Sequence, residues 1–428
     1  MGEMEPTIGR SSVGPRRLAM AGCTVVARNY LGYARVLAES WARVHCGAPF
    51  TVLVLDGGDP DLDVMSPEEL GLDPVELDVQ RGMYDTLELA TALKPHLLAR
   101  LLDRGADAVV FLDPDTDLYA PLCDVARAAA EHHVALSPHV LSPVPADGCS
   151  PSQIEIERTG VFNAGLIAVG RGARPFLDWW AVHLARNCLV DEPRGLFVDQ
   201  RILDWVPVCF PHVILRDPSL NVAFWNLHER HLTMSCAGYE VNGRPLRHFH
   251  FSGFDPVRPS MLTKYEPVYG HPLRVRMEGM PHLQRLCAEY AVRVRAAGHT
   301  VARDVPYAYA RTAAGGSLGN RERTVFREAV LHAERTETPA PPSPFDPEQM
   351  ERFAALVDNA CGGSTLPQPP TQADQELAAF MSRLEQVEWG MQDLDAHFAR
   401  MSGSLPARAY RRLKRLPGVG LLGRGLRY

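Results

Sequence analysis

Five short apolar runs recur in the first half of the chain, at residues 21–26, 50–55, 108–112, 134–137 and 166–169. Each is rich in β-forming residues and is flanked by polar residues or glycine, so each reads as a buried strand. Between them, residues 30–44, 87–103, 122–131 and 174–186 carry apolar side chains at helical spacing. Strand–helix alternation of this kind implies an α/β domain with a largely parallel sheet covered on both faces.

The chain has 428 residues, enough for one large core with appended parts. Its formal net charge of -7 excludes nucleic-acid binding by bulk electrostatics. The nine cysteines include no pair at C-x-x-C spacing, and they read as reduced, mostly buried thiols of a cytoplasmic protein. Residues 1–20 lack an apolar core of signal-peptide length, and no later run reaches the ~18 apolar residues that span a bilayer.

Six regions are expected. Residues 1–19 read as a disordered tail, 20–270 as the α/β domain, and 271–335 as a helical subdomain. Residues 336–371 are rich in Pro, Thr and Ser and read as linker, with room for a short helix at 347–359. Residues 372–400 carry Leu377, Phe380, Leu384, Val387, Met391, Leu394 and Phe398 in alternating steps of three and four. That heptad seam, over 377–398, either joins copies of the chain or packs on the α/β domain. Residues 401–428 form a basic amphipathic tail. From Pro406 onward it holds seven Arg or Lys residues and no acid, which suits an anionic lipid surface at the inner face of the cell membrane or an acidic partner.

The sharpest chemical signal follows the third run. Val109, Val110, Phe111 and Leu112 lead directly into Asp113, Pro114, Asp115, Thr116 and Asp117. Ligands of open α/β sheets bind at the carboxyl ends of strands. Carboxylates gathered there need a cation, and hard divalent ions prefer oxygen ligands. Such an ion offsets the charge that builds on a leaving diphosphate. A calcium loop through Asp113, Asp115 and Asp117 is disfavoured because Leu118 stands where that loop needs glycine.

Three more clusters accompany it. In Arg247, His248, Phe249, His250, Phe251, Ser252 and Gly253, strand alternation puts His248 and His250 on one face, where an imidazole can complete a carboxylate metal site. In Phe162, Asn163, Ala164 and Gly165, the amide suits sugar hydroxyls and the glycine lets backbone approach a ligand. Asp199 and Gln200 precede an apolar helical pattern, where they could equally be helix caps.

Together and in this order, these motifs resemble the glycogenin-like family 8 glycosyltransferases, including bacterial lipopolysaccharide galactosyltransferases. The resemblance covers residues 21–259 and implies a GT-A fold, a Rossmann-like domain that binds a nucleotide-sugar through a D-x-D motif and Mn2+ or Mg2+. By resemblance, Asp113 and Asp115 are the D-x-D and His250 is the metal histidine of H-x-x-G, which ends in Gly253. Asn163 and Gly165 face donor and acceptor, and Asp199 and Gln200 lie beside the reacting carbon. Lys94 falls between donor sugar and diphosphate. Asn29 and Tyr30 mark the nucleotide-binding end of the first strand. Two positions depart from the family. Ala27 stands where an acid often contacts the base. Pro256 stands where a lysine contacts the diphosphate, so Arg258 or Lys264 would take its place. The resemblance implies hexose transfer with retention from a nucleotide-sugar, such as a UDP-sugar, to a glycan, lipid-linked or small-molecule acceptor. A catalytically silent sugar-nucleotide-binding scaffold is the main alternative, and turnover separates the two; the others are a natural-product glycosyltransferase and a nucleotidyltransferase, whose usual Gly-rich N-terminal loop is not found here.

Overall fold

The computed structural model describes residues 18–265 and 272–362. The heptad segment and the basic tail lie outside the described residues. In chain order the strands are β1 (Met20–Val26), β2 (Phe50–Val54), β3 (Val64–Met65), β4 (Ala108–Leu112), β5 (Thr116–Leu118), β6 (Val134–Pro138) and β7 (Phe162–Gly170). They continue with β8 (Val190–Asp191), β9 (Leu196–Phe197), β10 (His212–Ile214), β11 (Leu232–Ser235), β12 (Gly238–Val241), β13 (Arg244–Pro245) and β14 (His248–His250). The helices are α1 (Leu31–Val44), α2 (Pro74–Met83), α3 (Thr86–Ala92), α4 (Lys94–Asp103), α5 (Cys123–His132) and α6 (Gln153–Thr159). Then come α7 (Arg174–Asn187), α8 (Val206–Cys209), α9 (Pro281–Ala296), α10 (His299–Ala302), α11 (Asn320–Thr336) and α12 (Met350–Gly362).

Seven strands form one sheet in the order β10-β6-β7-β4-β1-β2-β3. Its pairings are parallel except that β7 runs antiparallel to both neighbours, β4 and β6. All five residues of β2 and of β4 are buried, as expected of strands covered on both faces. Alternation divides them between two layers. Cys23, Val25, Leu53, Val109 and Phe111 pack with α4 and α7, while Val26, Val52, Val54, Val110 and Leu112 pack with α1 and α5. At Gly22 the α1 side closes tightly, because a Cβ there would sit 2.6 Å from the Phe50 ring and 2.8 Å from Trp41.

All five sequence-read strands lie in this sheet, and the α/β class with helical additions is what the structure has. Three details differ from the sequence reading. Residues 162–165 already belong to β7. The helix expected over 87–103 is two helices, α3 and α4, broken where Pro95 lacks a backbone N–H for the helix ladder. The cysteines are less buried than expected: among the eight described, all free, Cys46, Cys123, Cys209 and Cys236 are exposed.

A smaller ladder sets the site. β14 pairs antiparallel with β5, matching His250 with Thr116 and Phe249 with Asp117. The C-terminal helices pack on this body. α9 joins Tyr33 and Val36 of α1 and Phe249 and Phe251 in an apolar cluster, where Tyr290 stacks on Phe251 at 3.7 Å. α11 docks on α2, and its buried Arg323 donates to the carbonyl oxygens of Arg81 (2.6 Å), Tyr84 and Tyr309 (2.5 Å each). α12 begins within the stretch read as linker, close to the short helix the sequence allowed. No helix among the described residues is long and apolar enough to cross a membrane.

Candidate metal and sugar-transfer site

β4 delivers Asp113 to the carboxyl edge of the sheet, and the Asp113 amide donates to Gly165 O of β7 at 2.9 Å. The Thr116 hydroxyl donates to Asp113 O at 2.7 Å and turns the chain into β5. Because β5 pairs with β14, the Phe251 amide reaches Asp115 O at 2.8 Å, and His250 arrives beside the acids. His250 Nε2 lies 3.2 Å from Asp115 Oδ1 and 3.9 Å from Asp113 Oδ2. One ligand atom from each of Asp113, Asp115 and His250 can be drawn within 4.8 Å of the others.

The donor set fits a hard divalent ion. Two carboxylates, 27% and 22% exposed, face the cleft, and the imidazole is buried at 4%. Oxygen ligands with one imidazole suit Mn2+ or Mg2+, and three protein donors leave coordination positions for phosphate oxygens. Gly165 keeps the space open: a Cβ there would lie 2.5 Å from His250 Cε1 and 2.7 Å from Asp113 Oδ2. Asn221 Oδ1 stands 3.4 Å from His250 Nδ1, where it can accept from that nitrogen while Nε2 faces the acids. Burial alone would raise Asp115, but the adjacent His250 more than offsets it and holds the carboxyl below its ordinary value. His250 is correspondingly raised, since burial is outweighed by Asp115.

Asp117, the third acid of the run, is separate from this cluster. It is fully buried and paired with Arg293 of α9 at 2.5 Å and Arg43 at 3.8 Å. This removes the calcium-loop reading on geometry. His248 also stands apart, its Nδ1 accepting from the Asn221 amide at 3.1 Å.

Lys94 forms the floor of the site. Its ammonium sits 3.0 Å from Asp113 Oδ1, 2.8 Å from Asp199 Oδ2, 3.4 Å from Ala164 O and 4.3 Å from the Phe111 ring centroid. With 3% of the side chain exposed, it serves the two acids and is not held out toward solvent. Burial would lower Lys94, and the two carboxylates outweigh that and raise it. Asp199 stays raised by burial despite Lys94.

Asp199 and Gln200 do not cap the short helix that follows, since Gln200 at the cap position makes no side-chain cap bond. Gln200 instead ties β7 in place. Its Oε1 accepts from Asn163 Nδ2 (3.0 Å) and the Ala164 amide (3.2 Å), and its Nε2 donates to Thr159 O (2.9 Å). Asn163 Oδ1 accepts from the Gly165 amide at 3.2 Å. At the end of β1, Tyr30 is 39% exposed and stacks on Tyr33 at 4.9 Å, with Asn29 beside it. Gly253 has φ +68°, and Thr263 and Tyr265 fill its Cβ direction, so it shapes the loop that returns to Lys264. Arg258 is occupied by Asp255 at 2.9 Å, whereas the charge of Lys264 acts on Asp115.

Three residues escaped the sequence reading. His139 follows β6 at the same edge of the sheet, 3.4 Å from Asn163 Nδ2, and burial pushes its imidazole down to about 4. Its position just past an apolar run was the available signal. Asn221 and Trp225, which orient and pack His250, lie in a segment without periodicity and carried none.

No family model matches the chain. A curated relative, the uncharacterized protein YfnD of Bacillus subtilis (strain 168), is 30% identical over 178 residues, which is 40% of this chain and 55% of the relative. The chain thus spans about half the length of the curated relative it matches. Among solved structures, the galactosyltransferase LgtC in complex with donor and acceptor sugar analogs is 14% identical at a TM-score of 0.37, covering 64% of this chain and 95% of that one. Mouse xyloside xylosyltransferase 1 in its apo form is 11% identical at a TM-score of 0.34, covering 54% and 97%. A glycosyltransferase involved in glycosylation of the major capsid of PBCV-1 is 11% identical at a TM-score of 0.31, covering 55% and 94%. These neighbours are glycosyltransferases, and likenesses of this size fix neither family nor chemistry.

Proposed function

We propose that the chain moves a hexosyl group from a nucleotide-sugar to an acceptor hydroxyl, with a divalent ion at Asp113, Asp115 and His250. The observation that carries this reading is the pairing of that cluster with a buried Lys94–Asp199 ion pair on the same strand edge. The bound ion would supply positive charge against the charge developing on the leaving diphosphate. The chain's own residues do the rest. Lys94 fixes the Asp199 carboxylate, whose negative charge favours an electron-poor anomeric carbon. Gln200 holds Asn163 and the Ala164 amide, so the amide face of the site is preorganised. Lys264, whose charge acts on Asp115, would meet the diphosphate in place of the family's lysine. Retention and a uridine donor follow from the family 8 resemblance and belong to the same proposal, as does a cell-surface glycan as acceptor.

A thermal-shift panel of nucleotide-sugars and nucleoside diphosphates, with and without manganese, tests the reading on wild type and Asp115→Ala. A ligand that binds only the native state raises the melting temperature by mass action. The expected result is a manganese-dependent shift with one donor, lost in the variant, and release of nucleoside diphosphate from that donor. Binding without release in the presence of acceptor glycans would turn the reading toward a silent sugar-nucleotide binder. No shift with any donor would overturn it.

A further inference from the structure

Tyr307, Ala308 and Tyr309 have no part in the site described above. The segment that carries them, between α10 and α11, runs across the carboxyl ends of β1 and β2. Arg28 Nη2 donates to Pro306 O at 3.4 Å, and the Ala308 amide donates to Asp56 Oδ2 at 3.1 Å. Asp56 follows β2, and its other oxygen accepts from the Arg28 amide at 2.9 Å. Behind it, Gly32 of α1 meets the backbone of His299, where a Cβ would sit 2.8 Å from His299 N. The C-terminal addition is therefore fitted closely against the strand ends.

Those ends share an edge with the metal cluster. β1 pairs with β4 and β2 with β1, so the end of β2 lies about 10 Å from that of β4, two inter-strand spacings. The two sides of the cluster differ in chemistry. Toward β7 lie Asn163, Gln200 and Asp199, whose amides and carboxylate suit sugar hydroxyls. Toward β1 lies the exposed Tyr30 ring stacked on Tyr33, a flat surface that suits a heterocycle. A nucleotide-sugar with its diphosphate at the cluster then has its sugar toward β7 and its base toward β1 and β2.

Two polar atoms of residues at these strand ends are buried without a partner among the described residues: Asn29 Oδ1 and the Tyr307 hydroxyl. Burial acts first on the Tyr307 phenol, then the charge of Arg323, and then that of Asp56 at the end of β2. Buried polar groups are nearly always hydrogen-bonded, and an orphan is completed by a ligand or a water. We propose that Tyr307, supplied by the C-terminal addition, is a base-selecting residue that hydrogen-bonds the polar edge of the donor's nucleobase, with Asn29 as its companion. The inference rests on the donor reading above.

Calorimetric titration of the full chain tests it, using manganese alone, manganese pyrophosphate, and manganese with each of the five common nucleoside diphosphates, on wild type and Tyr307→Phe. The variant removes a hydroxyl with no native partner, so the unliganded melting temperature should hold or rise. Its affinity for manganese and pyrophosphate should match wild type, while its affinity for the preferred nucleoside diphosphate falls about 5- to 10-fold and the ranking of bases flattens. Wild-type affinities and ranking in Tyr307→Phe would overturn the inference and leave the donor reading standing. Manganese binding without binding of any nucleoside diphosphate would sink the donor reading, and the inference with it.

Discussion

At the scale of residues, the site depends on a few atoms that have no substitutes. Asp115 offers an oxygen 3.2 Å from His250 Nε2, and Asn keeps the shape while losing the charge. Asp115→Asn should weaken manganese binding at least about 10-fold, read by titration of the free ion's paramagnetic resonance signal. Gly165→Ala should abolish manganese binding with little loss of fold stability, because the added methyl would lie 2.5 Å from His250 Cε1. A variant that binds manganese like wild type would show that the glycine is not holding the site open. Asn221→Ala should weaken binding by about 10-fold, since groups that orient a ligand imidazole carry effects of that size. The acids and His250 were legible because each ends a run of strand character. Asn221 was not, because its role exists only once β14 has folded against the loop that carries it.

At the scale of elements, the strands of the sheet were legible as apolar runs, and the break between α3 and α4 was written in Pro95. The direction of β7 was not. Its nine residues are all buried whichever way it runs, so no alternation marks it as antiparallel. Its direction matters because it brings the amino end of the strand, with Asn163 and Gly165, to the edge where β4 ends. The docking of α11 was likewise hidden, since Arg323 reads as one more surface charge in an amphipathic helix. Instead it is 5% exposed and satisfies carbonyl oxygens at the end of α2 and at Tyr309. Arg323→Met should destabilise the fold by about 2 to 3 kcal/mol, because it leaves buried carbonyls without donors. Urea denaturation checks this, and a loss below about 0.5 kcal/mol would mean that water replaces the guanidinium.

At the scale of the whole molecule, stability should carry a pH signature from Glu88. Burial first, then the neighbouring Asp85, push its carboxyl up from 4.5 to about 7. The folded state therefore holds a proton that the unfolded state has released between those values. Stability from this group is complete below about 4.5 and is lost as pH rises through about 7, on the order of 3 kcal/mol in all. Glu88→Gln should gain melting temperature relative to wild type as pH rises from about 5 to about 8. A difference that stays constant across that range would place the Glu88 carboxyl in water. What the sequence determined by itself was local: strand and helix periods, the carboxylate run closing β4, and the histidine and amide motifs, because each depends on neighbours a few residues away. Tertiary structure decided what depends on distant neighbours. It sent Asp117 to Arg293, 176 residues on, and Asp113 to Lys94 and His250. It also brought Pro306 and Ala308 to the ends of β1 and β2, 278 and 252 residues from their partners. The physical reason is that a buried charge or polar atom takes whichever partner packing brings within about 3 Å, and spacing along the chain does not encode that choice.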